Sequence, residues 1–196
     1  MSRHPVHVRD ACPDDAPALV EVWSALVGRA AEREPTPPPE EEAAASVARI
    51  AADADQRLLV ACLEDEVAGA VHLARAQLSP VHGDQAVYVL HLQVRDEHRR
   101  HGVGRALMEA TVSWAEEKGT PYVIAAASVT SRDANRFMAR LGLGQVAMLR
   151  GATVPALRAK LPVEPPTVAK VGSRSHRNVG QVIARRRSMR RSQNGS

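Results

Sequence analysis

The chain has 196 residues, 44% of them hydrophobic and 24% charged, which suits one globular domain with a tail; aromatics make up only 3%, so its core must be aliphatic. The net charge of +4 hides a division: residues 162–196 carry eight basic side chains against Glu164, a net +7, and the other 161 residues carry 18 basic and 21 acidic side chains, a net −3. The apolar run Leu58–Leu63 is far short of the ~20 residues of a membrane span, the N-terminus MSRHPVHVRD has no apolar secretory segment, and Cys12 and Cys62 form neither a disulfide framework nor a CxxC pair. A cytoplasmic chain is therefore expected.

In chain order, Val6 and Val8 alternate with polar residues as a short strand. Asp10 to Asp14 offer helix-capping chemistry, with Pro13 near the start of a helix on which Ala16, Leu19, Val20, Trp23 and Leu26 recur at helical spacing and Gly28 follows the last turn. The stretch 34–42, EPTPPPEEE, is a loop because proline lacks the N–H that regular structure needs, and Glu40 to Glu42 suit the positive end of a helix over 40–53. The period then shortens to two. Arg57–Leu63 and Ala68–Ala76 are predicted as a hairpin, 79–84 as a turn, and Val87–Val94 as a third strand. A helix over 102–118 shows Val103, Ala106, Leu107, Ala110 and Trp114 on one face. Tyr122–Ala127 reads as a buried parallel strand, Arg132–Leu141 as a helix ended by Gly142, and 144–149 and 153–161 as two last strands. A strand–helix–strand unit at 87–127 demands a parallel pair with a right-handed crossover.

The fold class expected is therefore α/β (α+β), a mixed, mostly antiparallel central sheet with a parallel strand–helix–strand core. Residues 1–161 are expected as the domain and 162–196 as a basic tail too poor in apolar residues to order alone. Its RRRSMRR cluster, 185–191, suits polyanions: nucleic acid, ribosomal RNA and an anionic membrane surface are all open, as is a merely solubilising tail.

The strand-to-helix junction Arg99-Arg100-His101-Gly102-Val103-Gly104 is the most informative segment. Glycines let the backbone approach a ligand closely, and the first N–H groups of a helix have no internal partner. With Arg99, Arg100 and Arg105 beside it, the junction reads either as a phosphate cradle or as a tight turn that merely packs. It is neither a Walker loop nor a GxGxxG. Five histidines, His72, His82, His91, His98 and His101, carry no metal pattern, because no cysteine or HExxH joins them. No metal is expected.

The segment resembles the acyl-CoA-binding motif of the GCN5-related N-acetyltransferases, V-x-x-x-x-(Q/R)-x-x-G-x-(G/A) before an amphipathic helix: Val94, Arg99, Gly102 and Gly104 fill its positions, and Leu107 its helix packing position. SVTSRDANRFMARLGLG, 128–144, is similar to that family's second helix region, and the resemblance spans roughly 5–161. It implies an acetyl-CoA-dependent N-acetyltransferase acting on a primary amine, with Arg99, Arg100, His101, Gly102, Val103, Gly104 and Arg105 at the pyrophosphate and Phe137 beside the cofactor. It also implies strands 87–94 and 122–127 that splay around the pantetheine arm, and a bulge near Leu92–Val94 that turns an N–H toward the thioester oxygen. His91 is the candidate general base, since an unperturbed imidazole titrates near ~6.5; a half-buried structural histidine is the alternative. The family's tyrosine acid falls on Met138, which cannot donate a proton. Ser131, Thr130 or water is left for that role, and a catalytically weak acyl-CoA-binding or polyanion-binding module stays open as the rival reading. The acidic residues Glu32, Glu34, Glu40, Glu41 and Glu42 either border the amine site or form a solvated face. The oligomeric state, including a homodimer, is left open.

Overall fold

Alternating apolar residues build a sheet whose five strands, among the described residues, lie in chain order: β1 (His7–Asp10), β2 (Gln56–Leu63), β3 (Glu66–Gln77), β4 (Gln85–Val94) and β5 (Tyr122–Ala125). In this computed structural model the described residues are 5–30, 38–81, 83–128 and 130–161. Glu32, Glu34, His82 and the 162–196 tail with its 185–191 cluster lie outside them. The first three pairings are antiparallel and β4 with β5 is parallel, as the fold class expected. The chain divides into two compact units, Met1–Gln145 and Val146–Ser196.

Successive residues of β2 face opposite ways, and each face finds its own layer. Leu59 and Ala61, with Val71, Leu73, Val87 and Val89, pack on Val103, Leu107, Met108 and Trp114 of α3 (Val103–Glu117). Leu58, Val60 and Cys62, with Ala70, pack on Leu19 and Val22 of α1 (Ala16–Ala30) and Val47 of α2 (Glu40–Ala51). α1 is entered through a 3-10 turn, Pro13–Asp15. There the buried Asp15 accepts the Cys12 N–H at 2.8 Å and a two-pronged Arg9 guanidinium at 2.6 and 2.7 Å. Those bonds hold the Asp15 carboxyl below the usual carboxylate range, the Arg9 bond first among them. α4 (Arg132–Arg140) is capped by the Ser131 hydroxyl, which accepts the Ala134 N–H at 3.3 Å.

The two last strands expected at 144–149 and 153–161 are not formed. Residues 144–153 have no regular structure, and Val154–Arg158 is a short helix, α5. The Thr153 hydroxyl accepts the Ala156 N–H and Pro155 sits in the first turn. Cap and proline together start a helix and outweigh the strand-like apolar residues around them. Val146, Met148 and Leu149 are exposed.

Candidate active site

Between β4 and α3 the chain makes a 3-10 turn, Asp96–His98, and then two left-handed residues, Arg100 at φ 66° and Gly102 at φ 90°. This alternation curls the backbone so that successive N–H groups converge. The first internal bond of α3 runs from the Ala106 N–H to the Gly102 carbonyl at 2.9 Å, so the amides of Val103, Gly104 and Arg105 have no partner within the helix. Their partial positive charge, with the helix dipole behind it, suits an anion. A Cβ added at Gly102 would meet nothing within 4 Å, which leaves room for a ligand against the loop.

The side chains around the loop divide into three groups. Arg99 is paired with Asp96 at 2.7 Å and Arg105 with Glu109 at 3.0 Å, both on the surface. Arg100 and His101 are exposed and have no ion pair among the described residues. Val103 points inward, 1% exposed, so its side chain is not available to a ligand. Phe137 lies 3.4 Å from where a Gly104 Cβ would stand, so Gly104 serves the packing of α4 on α3 as well as the loop. Sequence reasoning missed Gly69. A Cβ there would stand 2.7 Å from the Gln93 carbonyl oxygen and 2.9 Å from Val103 Cγ1. The start of α3 therefore sits as low on the sheet as it does because β3 has no side chain at that point. A glycine inside an otherwise apolar strand was the available signal.

β4 and β5 pair from Ala86 and Tyr122 to Val89 and Ala125, and the Ala126 N–H reaches the Val89 carbonyl at 3.2 Å. No further pairs follow, so residues 90–94 border a split in the sheet, as the resemblance implies. The bulge lies slightly earlier than expected near Leu92–Val94. Ala70 faces Gln93 and His72 faces Leu90, so Val71 faces both His91 and Leu92. His91 takes the left-handed φ of 53°, which costs a non-glycine residue roughly 1–2 kcal/mol. The extra residue reverses the alternation: Val87 and Val89 face the α3 layer before it, and Leu92 and Val94 pack toward that layer after it.

The exposed His91 ring stacks on His72, with centroids 6.5 Å apart and planes 7° from parallel. The His72 Nε2 lies 2.9 Å from Gln56 Oε1. Burial holds the His72 imidazole below its ordinary value, and the neighbouring His91 and Arg49 add to that. The His91 carbonyl accepts the Trp23 indole N–H at 2.7 Å. Three residues past Leu92, Arg95 pairs with Glu21 of α1, with Glu66 at 2.6 Å, and more distantly with Glu97.

Met138, at the family's tyrosine position, is 8% exposed. Of the alternative proton donors, Ser131 caps α4 and Thr130 is exposed, its hydroxyl 2.9 Å from Ser128 Oγ. Among the described residues no group of three or more His, Cys, Asp or Glu could hold a metal ion, and no helix is long and apolar enough to cross a membrane.

The model of the acetyltransferase (GNAT) family matches residues 20–143. No curated protein sequence matches the chain significantly. Among solved structures, a transcriptional regulator from Bacillus halodurans C-125 is 22% identical with a TM-score of 0.66, over 76% of this chain and 99% of that one. The glucosamine-6-phosphate N-acetyltransferase of Arabidopsis thaliana is 15% identical with a TM-score of 0.64, over the same shares. An aminoglycoside N-acetyltransferase in complex with CoA is 14% identical with a TM-score of 0.59, over 76% of this chain and 95% of that one. At these identities the likeness is one of fold.

Proposed function

This chain belongs to the GNAT acetyltransferase family, and on that premise we propose that it transfers an acetyl group from acetyl-CoA to a primary amine of a small molecule or a protein. The observation that carries the reading is the loop 99–104 that follows β4, where the first amides of α3, from Val103 to Arg105, find no partner within the helix, together with the end of β4–β5 pairing at Val89. The loop amides and the nearby Arg100 and His101 fit a pyrophosphate. The split borders Leu92 and Val94, whose backbone a pantetheine arm could follow, and Phe137 lies at the start of α3. The fold neighbour in complex with CoA supports the choice of donor.

Acetyl-CoA supplies an acyl group already activated as a thioester. The chain's own residues supply orientation, an N–H at the bulge for developing negative charge, and a base. One such N–H is worth ~2.7–4 kcal/mol where it has been removed from other enzymes. His91 is our candidate base: its ring is exposed at the bulge, on the side of the sheet where His72 lies. Met138 supplies no proton, but an alkyl thiol with a pKa of ~8.5 leaves tolerably as the thiolate. A cytoplasmic setting and non-specific nucleic-acid or ribosomal-RNA contact through the 185–191 cluster are further parts of the proposal.

Met138 also favours a second reading, a catalytically weak acyl-CoA-binding module. Calorimetry with acetyl-CoA, followed by thiol-release assays across a panel of primary amines, separates the two. We expect binding and amine-dependent thiol release. Binding without turnover on any amine would favour the second reading, and no binding would overturn both.

A further inference from the structure

We infer that Trp23 is a positioning residue: through its bond to the His91 carbonyl it sets the direction of the Leu92 N–H at the split in the sheet. The inference rests on the acetyltransferase reading above for its purpose, and on geometry for its content.

Consider first where the amide plane between His91 and Leu92 sits. The Arg95 N–H bonds the Ala68 carbonyl at 2.9 Å, which marks that position as a hydrogen-bonded pair of the β3–β4 ladder. Bonded pairs recur every second residue, so Ala70 with Gln93 is the next. From the other side, the Leu78 N–H bonds the Asp84 carbonyl at 2.9 Å, and counting in twos brings the bonded pairs to His72 with Leu90. His91 and Leu92 fall between those two pairs, opposite Val71, in the part of the ladder that the alternation leaves without bonds. On its other edge β4 lost β5 at Val89. Neither neighbouring strand therefore fixes this plane.

Trp23 does. Its indole N–H reaches the His91 carbonyl at 2.7 Å, and the indole is itself half-buried against the α1–α2 layer. No peptide bond is cis, so in this planar unit the Leu92 N–H points opposite to the His91 carbonyl, away from α1. A carbonyl held toward α1 thus means an N–H held toward the far side, where the Leu92 side chain packs toward the α3 layer. The same helix grips the chain again just past the end of β4, through Glu21 and Arg95. The left-handed His91 is a conformation that persists only where the surroundings enforce it. The helix that faces the side of the sheet bearing His72 and His91 is, by this bond, also the part that aims the N–H proposed to receive negative charge.

The test uses the full chain as Trp23→Phe and, because a smaller ring could loosen α1, as a second variant with benzothienylalanine at position 23, which keeps the bicyclic shape and removes the N–H. Residual dipolar couplings of the Leu92 amide report the direction of its N–H without any ligand. Both variants should change that coupling, while the couplings of Val60 and Val71 stay as in the wild type. The infrared carbonyl stretch of acetyl-CoA labelled with ¹³C at the thioester carbonyl reports polarisation of the bound group. It should lie below its value in water in the wild type and move back toward that value in both variants, with acetyl-CoA affinity within about twofold. Where an amine substrate is in hand, kcat should fall about 10- to 100-fold with the KM for acetyl-CoA little changed. A Leu92 coupling unchanged in both variants would overturn the inference. So would a changed coupling with an unchanged carbonyl stretch. Failure of the wild type to bind acetyl-CoA would instead overturn the acetyltransferase reading, and the ligand-free coupling would still judge the tether itself.

Discussion

Replacing Gly69 by alanine tests whether the loop depends on how low α3 sits on the sheet. The new Cβ would stand 2.7 Å from the Gln93 carbonyl oxygen, 2.9 Å from Val103 Cγ1 and 3.3 Å from the Val94 Cα. Comfortable carbon contacts begin near ~3.5 Å, so the neighbours must retreat by roughly 0.5 Å or more. Two of the three atoms are β4 backbone, already held by its ladder to β3, and the third belongs to a buried residue that begins α3. Overpacking of this kind costs about 1–3 kcal/mol. The alanine also stiffens the unfolded chain, which offsets about 0.4–1 kcal/mol. The net loss is about 1–2 kcal/mol, a fall in Tm of roughly 2–8 °C for a domain of this size. The cheapest relief lifts Val103 and with it the amides of Gly104 and Arg105, so acetyl-CoA should bind about tenfold more weakly, or ~1.4 kcal/mol. Thermal unfolding and calorimetry measure the two effects separately. A Gly69→Ala chain that melts with the wild type would refute the packing argument. One that melts early but binds acetyl-CoA normally would refute the link between this contact and the loop.

Gly102→Val should keep the fold, since the site around its Cβ is open, at a cost of about 1–2 kcal/mol for a left-handed valine, and should weaken acetyl-CoA binding at least about 100-fold; normal affinity in calorimetry would remove the phosphate-loop assignment. His91→Ala should abolish the limb of the pH–rate profile along which activity falls on acidification, because a general base is lost on protonation, and should leave acetyl-CoA affinity unchanged; a retained limb would exclude His91 as base. Asp15 is held below its unfolded value chiefly by Arg9, so its contribution to stability is full above pH ~4 and is lost as the pH falls through its folded value. Asp15→Asn should therefore lower stability at neutral pH and flatten the acid decline in denaturant titrations, and an equally steep decline would show that other carboxylates dominate.

Period and punctuation in the sequence were enough for β1 to β5 and α1 to α4, because each carries apolar residues at its own spacing and the strands meet in chain order. The loop was legible too, since its glycines and arginines are contiguous. What escaped depends on contacts between distant residues or on competition between local signals. The bulge falls at His91 and Leu92 and not further along, because the register of β4 on β3 sets it. Gly69 reads as a weak point of a strand until Val103 is seen above it. Trp23 sits on the helical face and so reads as core, and nothing near it in sequence announces a partner 68 positions away. At 144–161, apolar spacing pointed to strands, while Thr153 and Pro155 held a helix-start signal that the spacing obscured. Met138 stood out at once, but a buried methionine gives no sign of what replaces the proton it cannot supply.

The grip of α1 on β4 has a further consequence during synthesis. The sheet is a meander whose β2, β3 and β4 close through short turns, so each can pair soon after it emerges. α1 leaves the ribosome well before any of them, yet its attachment points at His91 and Arg95 follow 68 and 74 residues later. At ~5–20 residues per second, the first of those delays is roughly 3–14 s. Leu19 and Val22, buried in the finished protein, first wait for the Leu58, Val60 and Ala70 layer that covers them, which follows 36 to 51 residues later. The nascent chain thus exposes its first amphipathic helix for seconds, and the bulge takes its final geometry only when that helix comes back to dock.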